Sequence, residues 1–348
     1  MFKIIRVFLY ILFFEGWLSN LLAASFPLID CLKNGETNLA AMMILAKSNI
    51  NVVDEKGLTP LHIACKEGYE NIAMLLISNH AEIRKDAIGA TPLHYAAAKS
   101  LTNVAEILLK KGVGIDDTTD AKWLNIVPGN STSLHFATLR CTYEGIGIIP
   151  FLIQHGADPN AENESGMTPL LYAAYNNRPD LVRELLENGA DPDHLFSGKL
   201  RDIDLPNSCY HATALDFATR FGYSECCRYL IEKTDLSKCS LFPEKIYLAL
   251  VLTGDTNCVK EIAAKGIDIN YRDDNGLTAL YWAVISKKCA MIKFLLELGV
   301  DRNVELKRFG TVKVMGEKKM RHIDARPGDT AYDIAQKIGD RNIINSFN

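Results

Sequence analysis

What this 348-residue sequence lacks narrows its function before any motif is read. It has no Gly-rich phosphate loop, no G-x-S-x-G and no H-E-x-x-H, which excludes P-loop, nucleophile-elbow and zinc-peptidase chemistry. It has no excess of positive charge. The 38 Lys and Arg face 42 Asp and Glu, a net −4, so a general nucleic-acid binder is not expected. It has no apolar run long enough for a comfortable membrane span. Its nine cysteines are an odd number without C-x-x-C spacing, and they read as reduced packing residues. The stretch around His194, Asp202, Asp204, Cys209 and His211 matches no zinc-ligand spacing. No catalytic residue, cofactor or metal is expected.

What the sequence does contain is self-similarity. Thr59-Pro60-Leu61-His62 returns as Thr91-Pro92-Leu93-His94. Variants follow at Thr132-Ser133-Leu134-His135, Thr168-Pro169-Leu170-Leu171, Thr213-Ala214-Leu215-Asp216, Thr278-Ala279-Leu280-Tyr281 and Thr330-Ala331-Tyr332-Asp333. Pro in the first helical turn sacrifices no hydrogen bond, and the Thr before it can cap the helix. Each tetrapeptide opens a short helix, and a second apolar run such as Val104 to Leu109 follows. A polar turn with Gly, such as Asp54-Glu55-Lys56-Gly57, leads into the next copy. Helices this short are not stable alone, so stability must come from stacking.

These motifs resemble the ankyrin repeat family, whose T-P-L-H-x-A, second helix and G-A-x-x-N turn are matched most closely at Phe151–Asn160 and Leu185–Pro192. The resemblance implies an all-α solenoid of about nine helix-turn-helix units with β-turn or hairpin fingers, covering residues 26–348. Units start near 26, 59, 91, 132, 168, 213, 244, 278 and 330. The unit near 244 is cryptic, with Ile246-Tyr247-Leu248-Ala249 in the place of the motif. Long fingers are expected at 116–131, 194–212 and 306–327. Residues 1–25 lie outside the array. Lys3 and Arg6 precede an apolar run from Val7 to Phe14, and Ala23 and Ser25 form a small-x-small site. That is the pattern of a secretory signal peptide, with an uncleaved anchor or an apolar covering helix as alternatives.

The resemblance implies a structural role for Thr59, His62, Thr91, His94, Thr132 and His135, since the family's His hydrogen-bonds across the turn. Tyr95, Phe136, Tyr172, Phe217 and Trp282 follow that position and read as packing residues, Trp282 beside Tyr281 being the best placed to reach a partner. Partner contacts are expected from exposed turns at Glu55, Lys56, Ile88, Trp123, Asp274 and Asn275. The last long finger is basic, with Lys307, Arg308, Lys313, Lys318, Lys319 and Arg321, and the alternation Phe309 to Val314 reads as a β-hairpin. Such a hairpin suits an acidic protein or an anionic membrane. Asn270 stands where repeats of this family resemble substrates of an asparagine hydroxylase; turn hydrogen bonding is the usual role. The expected function is protein binding by a monomeric, non-enzymatic scaffold. It is either exported to act on a host protein or acts in the envelope of its own cell. Membrane contact would come only through residues 1–25 if they are uncleaved, or through the basic hairpin.

Overall fold

Thr59 shows why each helix pair starts where it does. Its backbone is extended, and its hydroxyl accepts the N–H of His62 at 3.3 Å while its own N–H donates to His62 Nδ1 at 3.2 Å. That reciprocal cap satisfies donors that a helix start leaves orphaned. The first helix then runs seven or eight residues in every pair but the seventh, where it runs eleven; a left-handed residue breaks it wherever the break is described, and a second helix returns antiparallel. The structure is a computed structural model that describes residues 27–120, 128–140, 146–196, 211–307, 310–315 and 320–348. Residues 1–25, including the signal-like segment, lie outside the described residues.

The described chain holds nine helix pairs in two compact units, Met1–Pro169 and Leu170–Asn348. In the first unit the pairs are α1 (Pro27–Lys33) with α2 (Thr37–Leu45), α3 (Pro60–Glu67) with α4 (Glu70–Ser78), α5 (Pro92–Ala98) with α6 (Thr102–Lys110), and α7 (Ser133–Arg140) with α8 (Ile148–Gln154). First helices pack on first helices (α1 on α3, α3 on α5, α5 on α7), and second helices do the same. The core is therefore a column of small and branched residues, with Leu61, Ala64, Leu93, Ala97 and Leu134 all removed from water. The fifth pair is α9 (Pro169–Tyr175) with α10 (Pro179–Glu187).

The second unit continues with α11 (Ala214–Arg220) and α12 (Ser224–Lys233), α13 (Pro243–Thr253) and α14 (Thr256–Ala263), and α15 (Ala279–Ile285) and α16 (Cys289–Glu297). A hairpin of β1 (Gly310–Met315) and β2 (Met320–Ala325) precedes the last pair, α17 (Ala331–Ile338) and α18 (Arg341–Asn345). The strands are antiparallel, with Val312 opposite Ile323 and Lys313 opposite His322, so the expected hairpin forms.

Every described residue with positive φ falls on one of three recurring positions. One lies between the helices of a pair (Gly68, Ser100, Gly222), one after the second helix (His80, Gly112, Gly266), and one two residues before the capping Thr (Gly57, Gly89, Gly276). The seventh repeat lacks the third position and the sixth lacks the second. Both gaps fall in one stretch, Thr234 to Phe242, where a 3-10 turn at Leu236–Lys238 replaces a finger. The cryptic repeat keeps its register, because Ile246 stands as far before the left-handed Gly254 as Pro60 does before Gly68. Its first helix begins one turn early, at Pro243.

Candidate partner-binding surface

The motif histidines tie each repeat to the next. His62 Nε2–H donates to the Ala90 carbonyl at 3.2 Å, His94 to Ser131 at 3.2 Å, and His135 to Met167 at 3.0 Å. Each Nδ1 meanwhile accepts from the N–H of the capping Thr and stands 2.9–3.0 Å from its hydroxyl. This arrangement needs the neutral ring. Burial pushes the His94 and His135 pKa values down to about 4, and lowers that of His62. The three are spread along the stack and converge on nothing. Their structural role, implied by the resemblance, is what the geometry shows.

The variant tetrapeptides solve the same task with other atoms. Tyr281 takes the His place in the eighth repeat, is fully buried, and donates its hydroxyl to the Asp329 carbonyl. Asp216 takes it in the sixth and accepts instead of donating, from Ser240 N–H at 2.7 Å and Leu241 N–H at 3.0 Å. Tyr281 is thereby corrected as a partner-contact residue: no part of its ring reaches the surface. Trp282 is half-buried, and its indole N–H donates to Asp273 Oδ2 at 2.9 Å, as the Tyr95 hydroxyl does to Asp86 at 2.7 Å. Both brace a finger against its own first helix. Phe136, Tyr172 and Phe217 are buried, so the aromatic series is packing along most of its length. Tyr95 and Phe136 meet edge to face with centroids 5.9 Å apart.

Each finger is built on one pair of backbone hydrogen bonds. Asp54 N–H donates to Leu58, and Gly57 N–H donates back to Asp54. The Asp54 carboxylate also collects the N–H groups of Lys56 and Leu58, both at 2.9 Å. Asp86, Asn163 and Asp273 repeat this turn. The long fingers keep the same backbone pair and differ only at the tip. Thr119 bonds Ser131 and Asn130, Phe196 bonds Ala212 and His211, and Leu306 bonds Asp329 and Gly328. The insertions are therefore 120–129, 197–210 and 307–327, each replacing two tip residues such as Glu55-Lys56 or Asp274-Asn275.

In the first unit the tips are laced together. Ala87 N–H donates to Lys56 O at 3.1 Å, Asp120 N–H to Ile88 O at 2.8 Å, and Glu164 N–H to Gly129 O at 2.8 Å. This explains two glycines twice over. Gly57 and Gly89 have φ of +72° and +77°, and a Cβ on either would lie 2.8 Å from the next finger's backbone nitrogen. Glu55, Lys56, Ala87, Asp120 and Glu164 are exposed along this row, whereas Ile88 is half-buried against Ala90, Ala98 and Phe136.

In the second unit Asp274 and Asn275 are exposed at a tip, and Asp274 pairs with Lys245 at 3.1 Å. Arg272 donates to the Glu305 carbonyl at 2.6 Å, joining that finger to the next, where Lys307 is exposed. Lys313 and Arg321 lie on β1 and β2. Trp123, Arg308, Lys318 and Lys319 lie outside the described residues. The Asn270 side chain accepts the N–H of Asp301 in the following repeat at 2.8 Å, the turn role expected of it. Among the described residues, no His, Cys, Asp and Glu groups converge to hold a metal, and no helix is long and apolar enough to cross a membrane. Cys226 and Cys227 are buried free thiols whose pKa values burial pushes up to about 12, which leaves them protonated and unreactive near neutrality. Sequence reasoning missed one surface residue: Phe242, before Pro243, is 68% exposed. Nothing in the apolar string around it distinguishes it from a core residue.

Comparison with known proteins finds sequence profiles of ankyrin repeats matching residues 28–121, 116–195 and 134–242, and a second ankyrin-repeat profile matching 247–296. Among individual proteins, the chain is 27% identical over 207 residues to the E3 ubiquitin-protein ligase KEG of Arabidopsis thaliana, a match taking in 58% of this chain and 12% of that protein. It is 27% identical over 186 residues to the E3 ubiquitin-protein ligase XBAT33 of the same plant, covering 53% of this chain and 32% of that one. A shorter match, 43% over 51 residues, is to the palmitoyltransferase akr1 of Schizosaccharomyces pombe, covering 14% of this chain and 8% of that one. The chain thus spans a third or less of the length of these relatives.

Proposed function

This chain belongs to the ankyrin repeat family, and from that premise we propose that it is a scaffold that binds a partner protein through its finger tips and first helices. Ankyrin repeats mediate protein–protein interaction, and the fold is typically non-enzymatic. The activities in the relatives' names are those proteins' own; the matches rest on the repeat region.

The observation that carries the reading is the laced row of tips in the first unit. Backbone bonds between Ala87 and Lys56, Asp120 and Ile88, and Glu164 and Gly129 hold exposed side chains on a rigid frame. A partner meeting such a row loses little entropy to loop ordering. The test is site-specific photo-crosslinking in the native cell. A crosslinker at Glu55 or Glu164 should trap a discrete protein that one on the outer helix, at Ser78, does not. Equal trapping at all three positions would overturn the reading. Replacing the insertion 307–327 by Asp-Asn, as in the neighbouring finger, should weaken partner binding without unfolding the array.

A second reading concerns destination. We propose that residues 1–25 export the chain and that its partner belongs to a host cell. Lys3 and Arg6 before the apolar run, and Ala23 and Ser25 after it, support export. The buried free thiols of Cys65, Cys226, Cys227 and Cys258 suit a reducing destination over an oxidising envelope. N-terminal sequencing after cell fractionation tests this. A mature N-terminus near Phe26 outside the producing cell is expected, and an intact Met1 in the soluble fraction would overturn it.

A further inference from the structure

After several of the second helices, the turn carries a side-chain acceptor that takes a backbone N–H from the following repeat. Asn51 Oδ1 accepts the N–H of Glu82 at 2.9 Å, and Asn270 Oδ1 accepts that of Asp301 at 2.8 Å. Two repeats place a carboxylate there instead. Asp116 accepts the N–H of Asp158 at 3.3 Å to each oxygen, and Asp193 Oδ1 accepts that of Asp235 at 2.7 Å. A side-chain amide in this place carries no charge. A carboxylate does, and here it bonds to the backbone of a residue that carries a second carboxylate.

The joint between the fifth and sixth repeats concentrates this charge. Asp191 Oδ1 accepts the N–H of Asp193 at 2.9 Å, Asp193 accepts that of Asp235, and Asp235 Oδ1 accepts that of Ser237 at 3.0 Å. Three carboxylates thus follow one another on a single string of hydrogen bonds. Lys238 ends the 3-10 turn, and Lys265 donates to the Glu232 and Thr234 carbonyls at 3.3 and 3.4 Å. Bonds to Ser237, then these two lysines, hold Asp235 below the usual carboxylate range. Burial, then the charges of Asp191 and Asp235, push Asp193 above it, against the pull of the Asp235 N–H and Lys238. The Cys239 thiol nearby is pushed up to about 12 by burial and stays neutral, and His194 follows Asp193 in the chain. No motif ring ties this joint, because Leu171 stands where His62, His94 and His135 donate across theirs.

We propose that Asp193 makes the joint between the fifth and sixth repeats tighten on protonation. Ionised, it opposes the charges of Asp191 and Asp235. Protonated, it keeps a carbonyl oxygen for the Asp235 N–H and loses the repulsion. Its pKa is raised in the folded chain, so the stabilisation is fully present below the ordinary carboxylate value and is lost as pH rises through the raised one. The joint is therefore looser at neutral pH than in mild acid, the reverse of the histidine links in the first unit. The third-to-fourth joint mixes the two, with Asp116 pushed up by burial and by Asp158 in the same gap as the His94 link.

Two measurements on the intact chain test this. In a carboxyl-carbon NMR titration, Asp193 should titrate above Asp235. Amide exchange, corrected for intrinsic rates, should show protection of the Asp235 N–H rising about threefold or more between pH 7 and 4.5. The Asp301 N–H, held by the neutral Asn270, should show no such rise. Asp193→Asn should raise protection at Asp235 at pH 7 and remove the acid response. Asn270→Asp, which sets a carboxylate between Asp268 and Asp301, should give the Asp301 N–H a response of its own. Both responses should persist in His194→Gln. Asp193 titrating at or below Asp235, no rise at Asp235 in acid, or a rise unchanged in Asp193→Asn would overturn the proposal. So would a rise that disappears in His194→Gln alone, which would assign it to that ring.

Discussion

The carboxylate of Asp216 accepts the backbone N–H of Ser240 at 2.7 Å across the gap between the sixth and seventh repeats, whereas at the equivalent place between the third and fourth His94 donates to the carbonyl of Ser131. The polarity of the link is inverted. The segment that faces Asp216 must present N–H groups instead of a carbonyl, and Ser240 and Leu241, after the 3-10 turn, do so. The irregular seventh repeat and the irregular sixth tetrapeptide are one feature seen from two sides.

Asp216→His restores the family tetrapeptide and is expected to destabilise. A neutral imidazole offers one acceptor nitrogen where Asp216 takes N–H groups from Thr213, Ser240 and Leu241. Buried donors left unmet cost about 1–3 kcal/mol each. A lowered urea midpoint is the outcome to look for; a raised one would show that the turn rearranges to present a carbonyl.

Acid should loosen the first unit before it titrates ordinary carboxylates. His94 and His135 have folded pKa values of about 4 against an ordinary 6.5, so the unfolded chain binds more protons between those values. Their stabilising contribution is therefore fully present above 6.5 and is lost as pH falls toward 4, at about 1.4 kcal/mol per pH unit for each ring at most. Denaturation midpoints measured from pH 7 to 4.5 should fall, and His94→Gln with His135→Gln should flatten the slope.

Gly89→Ala and Gly276→Ala separate backbone strain from crowding. Both positions have positive φ, +77° and +81°, but a Cβ at Gly89 lies 2.8 Å from the Asp120 nitrogen while one at Gly276 meets nothing within 4 Å. Gly276→Ala should cost about 1–2 kcal/mol of left-handed strain. Gly89→Ala should cost more, and hydrogen exchange should show the Asp120 amide losing protection.

Thr278 is the capping residue whose Oγ1 is buried without a partner, because Tyr281 has no nitrogen to offer it. Thr278→Val should be neutral or stabilising. Thr59→Val removes the hydroxyl that accepts the His62 N–H and lies against Nδ1, while the backbone N–H of residue 59 still donates to Nδ1, and should cost about 1–2 kcal/mol. Thermal melts of the two variants check the contrast, and equal losses would contradict it.

Much of this architecture is readable from local chemistry. Thr-Pro-Leu-His carries its own cap and helix start, so the helix pairs follow from a string of four residues, while the inter-repeat role of the His was implied by the family resemblance. The β-hairpin was likewise visible in the alternation up to Val314. Residues 116–131, 194–212 and 306–327 were recognisable as overlong, but not where each insertion begins. Only the hydrogen bonds of Thr119, Phe196 and Leu306 place it at the finger tip, since those partners lie ten or more residues away.

The surface was less legible. Trp282 and Tyr281 are adjacent aromatics of similar character in the string, yet one is half-buried and bonded to Asp273 and the other is sealed beneath Asp329. Phe242, to which the repeat pattern assigns no role, is exposed. What the sequence by itself determined is the repeat, because capping, turn and helix-start preferences act between residues a few positions apart. What only the tertiary structure decided is which side chains remain outside. Burial depends on the neighbouring repeat, as at Asp216, whose carboxylate holds the short turn of the next repeat just before the exposed Phe242.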